Sequence, residues 1–240
     1  MAPAVQVSSQ ENGSAVVTKG SQANIPDTES SIPIRAPLKT TGILDGQYKF
    51  EELTPAIGRV YPTAQLKDII HNEKADELIR DLAITISRRG VVFFKGQELS
   101  PEDQKYLTDR LGHLTGKPAT SGLHIHPVYN SQRESQDSVV DDKGTRNNDL
   151  EISVISSNLH RSLGVAPRSG ADEWHSDITF EPVPADYTSL KVHTLPHTGG
   201  DTLWASGYET FDLLSAPFKK LLEGLTGFFY PPGFLRSAKE

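Results

Sequence analysis

His175 and Asp177 stand two residues apart in the run Trp174-His175-Ser176-Asp177-Ile178-Thr179-Phe180. On an extended strand that spacing puts both side chains on one face. One imidazole and one carboxylate so placed are two of the three protein ligands of a 2-His-1-carboxylate iron site, a centre that keeps coordination positions open for a chelating co-substrate and O2. The spacing alone says little. A second His-x-acid pair, His71-Asn72-Glu73, lies at the mouth of an expected helix, and a surface histidine beside a solvated aspartate is spelled the same way. The setting sets the first pair apart, because Gly199-Gly200-Asp201-Thr202-Leu203-Trp204 follows it downstream. A threonine hydroxyl on a rigid strand can position an anion without adding charge. Threonine is also simply a favoured strand residue, and Gly199-Gly200-Asp201 on its own is a turn.

The elements that must carry these residues can be read from periodicity. Residues 61–72 and 73–89 read as helices, the second with Ala75, Leu78, Ile79, Leu82, Ala83 and Ile86 on one face and Gly90 after Arg88 and Arg89 as its stop. Val91-Val92-Phe93-Phe94 reads as a strand buried on both faces. Ser100-Pro101-Glu102-Asp103 opens a helix that should end near Gly112. Residues 130–150 and 160–173 read as loops, while 152–156, 187–193 and 202–204 read as strands. Ser206-Gly207-Tyr208-Glu209 is a capping box for a helix to about Leu214, and Pro217 starts another that Gly224 closes. Helices early and strands with inserted helices later point to an α+β architecture.

Composition narrows the function classes. The 240-residue chain carries a net charge of −7, which argues against non-specific nucleic-acid binding. It has no cysteine, so thiolate metal sites, disulfides and cysteine nucleophiles are excluded, and any metal must be held by His and carboxylate. No apolar run approaches the ~20 residues of a membrane span. Residues 1–40 lack apolar periodicity and read as a disordered tail ahead of a domain over 41–240. They also lack the hydrophobic stretch of a secretory signal, and Glu11, Asp27 and Glu29 precede the first arginine, Arg35, unlike a mitochondrial presequence. A cytoplasmic location is expected by elimination.

The Trp-His-Ser-Asp-Ile-Thr-Phe and Gly-Gly-Asp-Thr-Leu-Trp runs, in this order, resemble the taurine/α-ketoglutarate dioxygenase family (TauD/TfdA). Leu123-His124-Ile125-His126-Pro127-Val128-Tyr129, Ser206-Gly207 and Leu213-Leu214-Ser215-Ala216-Pro217-Phe218 extend the likeness over roughly residues 60–227. The resemblance implies a double-stranded β-helix (jelly roll) with flanking helices. It implies a non-haem Fe(II)- and 2-oxoglutarate-dependent dioxygenase that uses O2, forms succinate and CO2, and hydroxylates the carbon next to an acid group. A sulfonate so hydroxylated releases sulfite. In this scheme His175 and Asp177 are metal ligands and Thr202 bonds a 2-oxoglutarate carboxylate. His126 and Tyr129 contact the substrate's acid group, with His124 able to exchange roles with His126, while Ile178 and Phe180 wall the pocket. Ascorbate and homo-oligomerisation are left open.

Two departures qualify the resemblance. Four residues before His175, where taurine enzymes have a substrate-contacting asparagine, this chain has Ala171, which puts taurine in doubt and leaves another sulfonate or related acid open. The family's second metal histidine and its 2-oxoglutarate arginine lie far downstream, whereas this chain stops at Glu240 and Phe228-Phe229-Tyr230-Pro231-Pro232-Gly233 does not read as a continuation. His193 and His197 are the histidines that follow the pair, one in an expected strand and one in a turn. The expectation is a jelly roll incomplete on its C-terminal side, weak in Fe(II) binding, inactive and poorly soluble. The rival is a catalytically inactive truncated form acting as a binding or regulatory protein. A metal-dependent hydrolase would account for His175 and Asp177 but not for Thr202 or the His126 segment.

Overall fold

The structure is a computed structural model. It describes residues 36–126, 149–155 and 174–227, with the backbone of two strands at 5–9 and 15–19. Apart from Asp149 and Leu150, the loops expected at 130–150 and 160–173 lie outside the described residues. In chain order the elements are β1 (Val5–Ser9), β2 (Ala15–Lys19), α1 (Ile43–Gln47), β3 (Glu51–Glu52), β4 (Arg59–Tyr61), α2 (Leu66–Ile70) and α3 (Ala75–Arg89). They continue with β5 (Val92–Phe94), α4 (Pro101–Thr115), α5 (Gly207–Asp212) and α6 (Ala216–Leu222). Two units are distinguished, Met1–Pro37 with Leu214–Thr226, and Leu38–Leu213 with Gly227–Glu240.

In the first unit β1 and β2 pair antiparallel, with Val7 opposite Val17. This departs from the expectation of a tail without regular structure. Valine, frequent in both stretches of sequence, is a residue type that favours extended backbone. The unit also holds α6, which buries no residue.

The second unit is built around α3, whose expected apolar face is buried through Leu78, Ile79, Leu82 and Ala83. At roughly 1.5–3 kcal/mol for each fully buried large side chain, this face is a principal source of stability. Asp76 and Glu77 in its first turn and Arg88 and Arg89 in its last suit the helix dipole. Gly90 ends it at φ 69°, where a Cβ would come within 3.1 Å of the Ile57 side chain. The chain passes from β4 through α2 and α3 to β5, which pairs parallel to β4 with Val60 opposite Phe93, while β3 pairs antiparallel on the other side of β4. Parallel neighbours require such a crossover. Leu107 and Leu111 of α4 complete the core against Ile69, Ile70 and α3.

Polar contacts fix the edges. Arg59 pairs with Asp45 at 3.0 Å and with Glu52, and its guanidinium lies 3.9 Å from the Phe50 ring centroid. Tyr61 is buried and donates to Asp45 Oδ1 at 3.0 Å, and burial pushes its phenol up to about 12. Within α3, Asp81 is a carboxylate in the core, 1% exposed. It accepts hydrogen bonds from the Thr41 backbone N–H (2.8 Å), the Thr41 hydroxyl (3.0 Å) and the Ile43 N–H (3.1 Å).

Several sequence expectations are corrected. The helix expected over 61–72 is confined to α2, because Tyr61 belongs to β4 and Pro62 does not continue a helix from it. Strand β5 is half-buried rather than enclosed: Val92 and Phe94 pack on the core, while Phe93 meets Trp204 edge-on at 6.3 Å. Helix α4 runs past Gly112 to Thr115, where Gly116 at φ 98° supplies the left-handed cap. Among the described residues of 152–156 there is only an isolated bridge at Ser153, and 187–193 and 202–204 are not strands. A strand needs a partner for its backbone groups, and no described strand pairs with these segments. Residues 187–204 are instead held at points: Ser87 Oγ to the Tyr187 hydroxyl (3.1 Å), Gln104 to Ser189 Oγ (3.0 Å) and Lys191 Nζ to the Leu99 carbonyl (2.5 Å). Leu190, Val192 and Leu203 are exposed there.

Burial on its own would raise the Asp81 carboxyl, yet the donors from Thr41, Thr40 and Gly42 outweigh it and hold it below its ordinary value. Its stabilisation is therefore full above the unfolded carboxyl's pKa and is lost as pH falls through the lower folded value. Asp81→Ala should destabilise the protein by roughly 1.5–3 kcal/mol in urea titrations near neutrality, the scale of a hydrogen bond to a charged group. The difference from wild type should shrink below about pH 4. A neutral-pH midpoint unchanged by the substitution would show that the Asp81 contacts are not stabilising.

Candidate active site

Asp177 and Ile178 begin a turn over residues 177–180, so His175 and Asp177 do not lie on a strand face as expected. Their tips nevertheless meet, with His175 Nε2 3.2 Å from Asp177 Oδ1. Both side chains are exposed, at 71% and 48%. The turn depends on Ile178, a β-branched residue at φ 42°. That backbone conformation costs about 1–3 kcal/mol in a non-glycine residue and persists only where its surroundings enforce it. The Glu181 N–H closes the turn on the Ile178 carbonyl at 3.0 Å.

The turn delivers Phe180 and Glu181 to the segment that carries His124 and His126. His124 Nδ1 lies 3.0 Å from Glu181 Oε1, and its ring meets Phe180 edge-on at 6.0 Å and His126 at 5.8 Å. The two histidines able to exchange roles thus lie together, with Phe180 against His124 and Ile178 half-buried. Tyr129 and Ala171 lie outside the described residues. Glu181 escaped sequence reasoning, since its partner is 57 residues away and no local pattern marks it. Thr202 is exposed and follows Gly199 and Gly200, both in the left-handed region at φ 75° and 76°, but residues 199–201 are not a turn as expected. At Gly200 a Cβ would come 3.0 Å from Pro196, a contact that favours glycine there.

The donor chemistry of His175 and Asp177 fits a divalent metal. Two cis ligands each ~2.1 Å from a six-coordinate ion are about 3 Å apart, close to the separation of Nε2 and Oδ1. Among the described residues no group of three His, Cys, Asp or Glu side chains could hold a metal, so His193 and His197 do not complete the set here. No described helix is long and apolar enough to cross a membrane.

This pair, inside its flanking motif, is the setting in which relatives can be compared. The chain belongs to the taurine catabolism dioxygenase TauD, TfdA family, whose model matches residues 49–236. The match extends beyond the expected 60–227 on both sides and takes in Phe228–Gly233, correcting the reading of that run as outside the family. An alpha-ketoglutarate-dependent dioxygenase of Aspergillus oryzae is 42% identical over 85% of this chain and 57% of its own length. One from Neocamarosporium betae is 42% identical over 82% of this chain and 58% of its own. An alpha-ketoglutarate-dependent sulfonate dioxygenase of Saccharomyces cerevisiae is 31% identical over 75% of this chain and 38% of its own. The chain therefore spans less than two thirds of the length of these relatives. No solved structure matches it.

If His175 and Asp177 share a metal, Co(II) titrated calorimetrically into this chain should bind in a manner lost in both His175→Ala and Asp177→Ala. Unchanged Co(II) affinity in both variants would remove the site.

Proposed function

We propose that the protein is a non-haem Fe(II)- and 2-oxoglutarate-dependent dioxygenase acting on a small anionic substrate, a sulfonate or related acid. The observation that carries this reading is the convergence of His175 Nε2 and Asp177 Oδ1 within the family motif. His175 and Asp177 would hold the iron, which supplies O2 activation coupled to decarboxylation of 2-oxoglutarate. Thr202, two residues beyond Gly200, would donate its hydroxyl to a co-substrate carboxylate. His126, with Tyr129, would donate to the substrate's acid group. Phe180 and Ile178 would give that acid an apolar wall, shield the reaction and limit substrate size. A sulfonate hydroxylated next to sulfur would break its C–S bond and release sulfite. The jelly-roll fold belongs to this proposal and is supported by the family match.

The test is succinate formation from 2-oxoglutarate with Fe(II) and O2, on this chain and on a form spanning the relatives' length. In an active form His175→Ala should abolish turnover. Thr202→Ala should raise the KM for 2-oxoglutarate roughly 10- to 100-fold with a smaller effect on kcat, as expected for a lost hydrogen bond to a charged group. Wild-type co-substrate dependence in the Thr202 variant would show that another residue holds the carboxylate.

A further inference from the structure

The turn over residues 177–180 joins two acid–imidazole contacts. Asp177, at its start, lies against His175, and Glu181, directly after it, lies against His124 with Oε1 3.0 Å from Nδ1. Between them Ile178 holds φ 42°, a conformation that a β-branched residue leaves unless its surroundings oppose the change. The Glu181 N–H bonded to the Ile178 carbonyl at 3.0 Å is one restraint, but it is internal to the turn and would be lost with it. The Glu181 side chain supplies a restraint from outside. His124 stands 57 positions away in the chain, its side chain is largely buried, and its ring also meets Phe180 of the turn edge-on at 6.0 Å.

We infer that Glu181 is a positioning residue for the metal pair: bonded to His124, it latches the turn in the strained form in which His175 Nε2 and Asp177 Oδ1 converge. Among the described residues no group of three His, Cys, Asp or Glu side chains could hold a metal, so Glu181 acts through the backbone of the turn and not as a ligand. Without the latch Ile178 relaxes and the two donors part. An entering ion must then select the converged form from a minor population, which lowers its apparent affinity by that fraction. The inference rests on the metal role given to His175 and Asp177 under Proposed function.

Co(II) titrations of the whole chain test it. Glu181→Ala should weaken binding roughly five- to 150-fold, the range set by the strain of one such residue. Glu181→Gln loses the charge but keeps an amide oxygen that accepts from Nδ1–H, so its affinity should stay within about threefold of wild type. Glycine adopts positive φ without strain, so in an Ile178→Gly background Glu181→Ala should cost a smaller factor than in the wild type. With no metal present, protection of the residue 181 amide from hydrogen exchange should fall in Glu181→Ala and persist in Glu181→Gln. An affinity unchanged in Glu181→Ala, an equal loss in Glu181→Gln, an equal loss with and without Ile178→Gly, or undiminished amide protection would each overturn the latch. So would a wild type that binds no Co(II). His175→Ala and Asp177→Ala judge the metal site separately: if they abolish binding that Glu181→Ala leaves intact, the site stands and the latch falls. Succinate formation judges the dioxygenase reading in turn.

Discussion

Helix α3 is enclosed by α1, α2, α4 and β5 along its apolar face, and such enclosure is tolerable only if the polar group within it is answered. Asp81 is that group, and the segment Thr41–Ile43 answers it with two backbone N–H groups and a hydroxyl. The contact does two things at once. It neutralises the desolvation of a carboxylate in the core, and it brings the start of α1 down onto α3, where Leu44 is buried. With α3 fixed, the crossover from β4 to β5 has a set length and direction, and Val92 and Phe94 face the core while Phe93 faces outward.

That outward position matters because the candidate site lies on chain added to this framework by scattered contacts. Phe93 meets Trp204, Ser87 meets Tyr187, and Lys191 reaches the Leu99 carbonyl. None of these is a continuous ladder, so Leu190, Val192 and Leu203 keep exposed apolar surface. The site's own geometry comes from a turn rather than a sheet. Two residues apart on a strand, side chains point the same way but need not touch, whereas the turn at Ile178 brings the imidazole of His175 and the carboxylate of Asp177 into contact. The strain at Ile178 accompanies that convergence.

The legible parts of the sequence were those governed by local rules. The face of α3 follows a period that a helix imposes on itself, and the caps at Ser100 and Ser206 satisfy the N–H groups of Asp103 and Glu209 as their spacing requires. The strands expected at 187–193 and 202–204 depend on partners that alternation cannot supply. Tyr61 reads as part of a helix until its pairing with Phe94 places it in the sheet. Within the site, the nearness of His124 and His126 could be anticipated from their spacing. The attachment of His124 to Glu181 could not, because it spans 57 positions and joins residue types common on any surface.

The two acid–imidazole pairs use the same chemistry in opposite senses. In His175 and Asp177 the carboxylate lies beside Nε2, and both side chains are exposed, so a metal ion could reach both donors together. In His124 and Glu181 the carboxylate sits on Nδ1, which fixes the ring, and Nε2 has no hydrogen-bond partner among the described residues. The carboxylates of the two pairs differ little in exposure, 48% and 38%, whereas the imidazoles differ widely, 71% and 17%, so burial of the ring is what separates the imidazole open to a metal from the imidazole held within the protein.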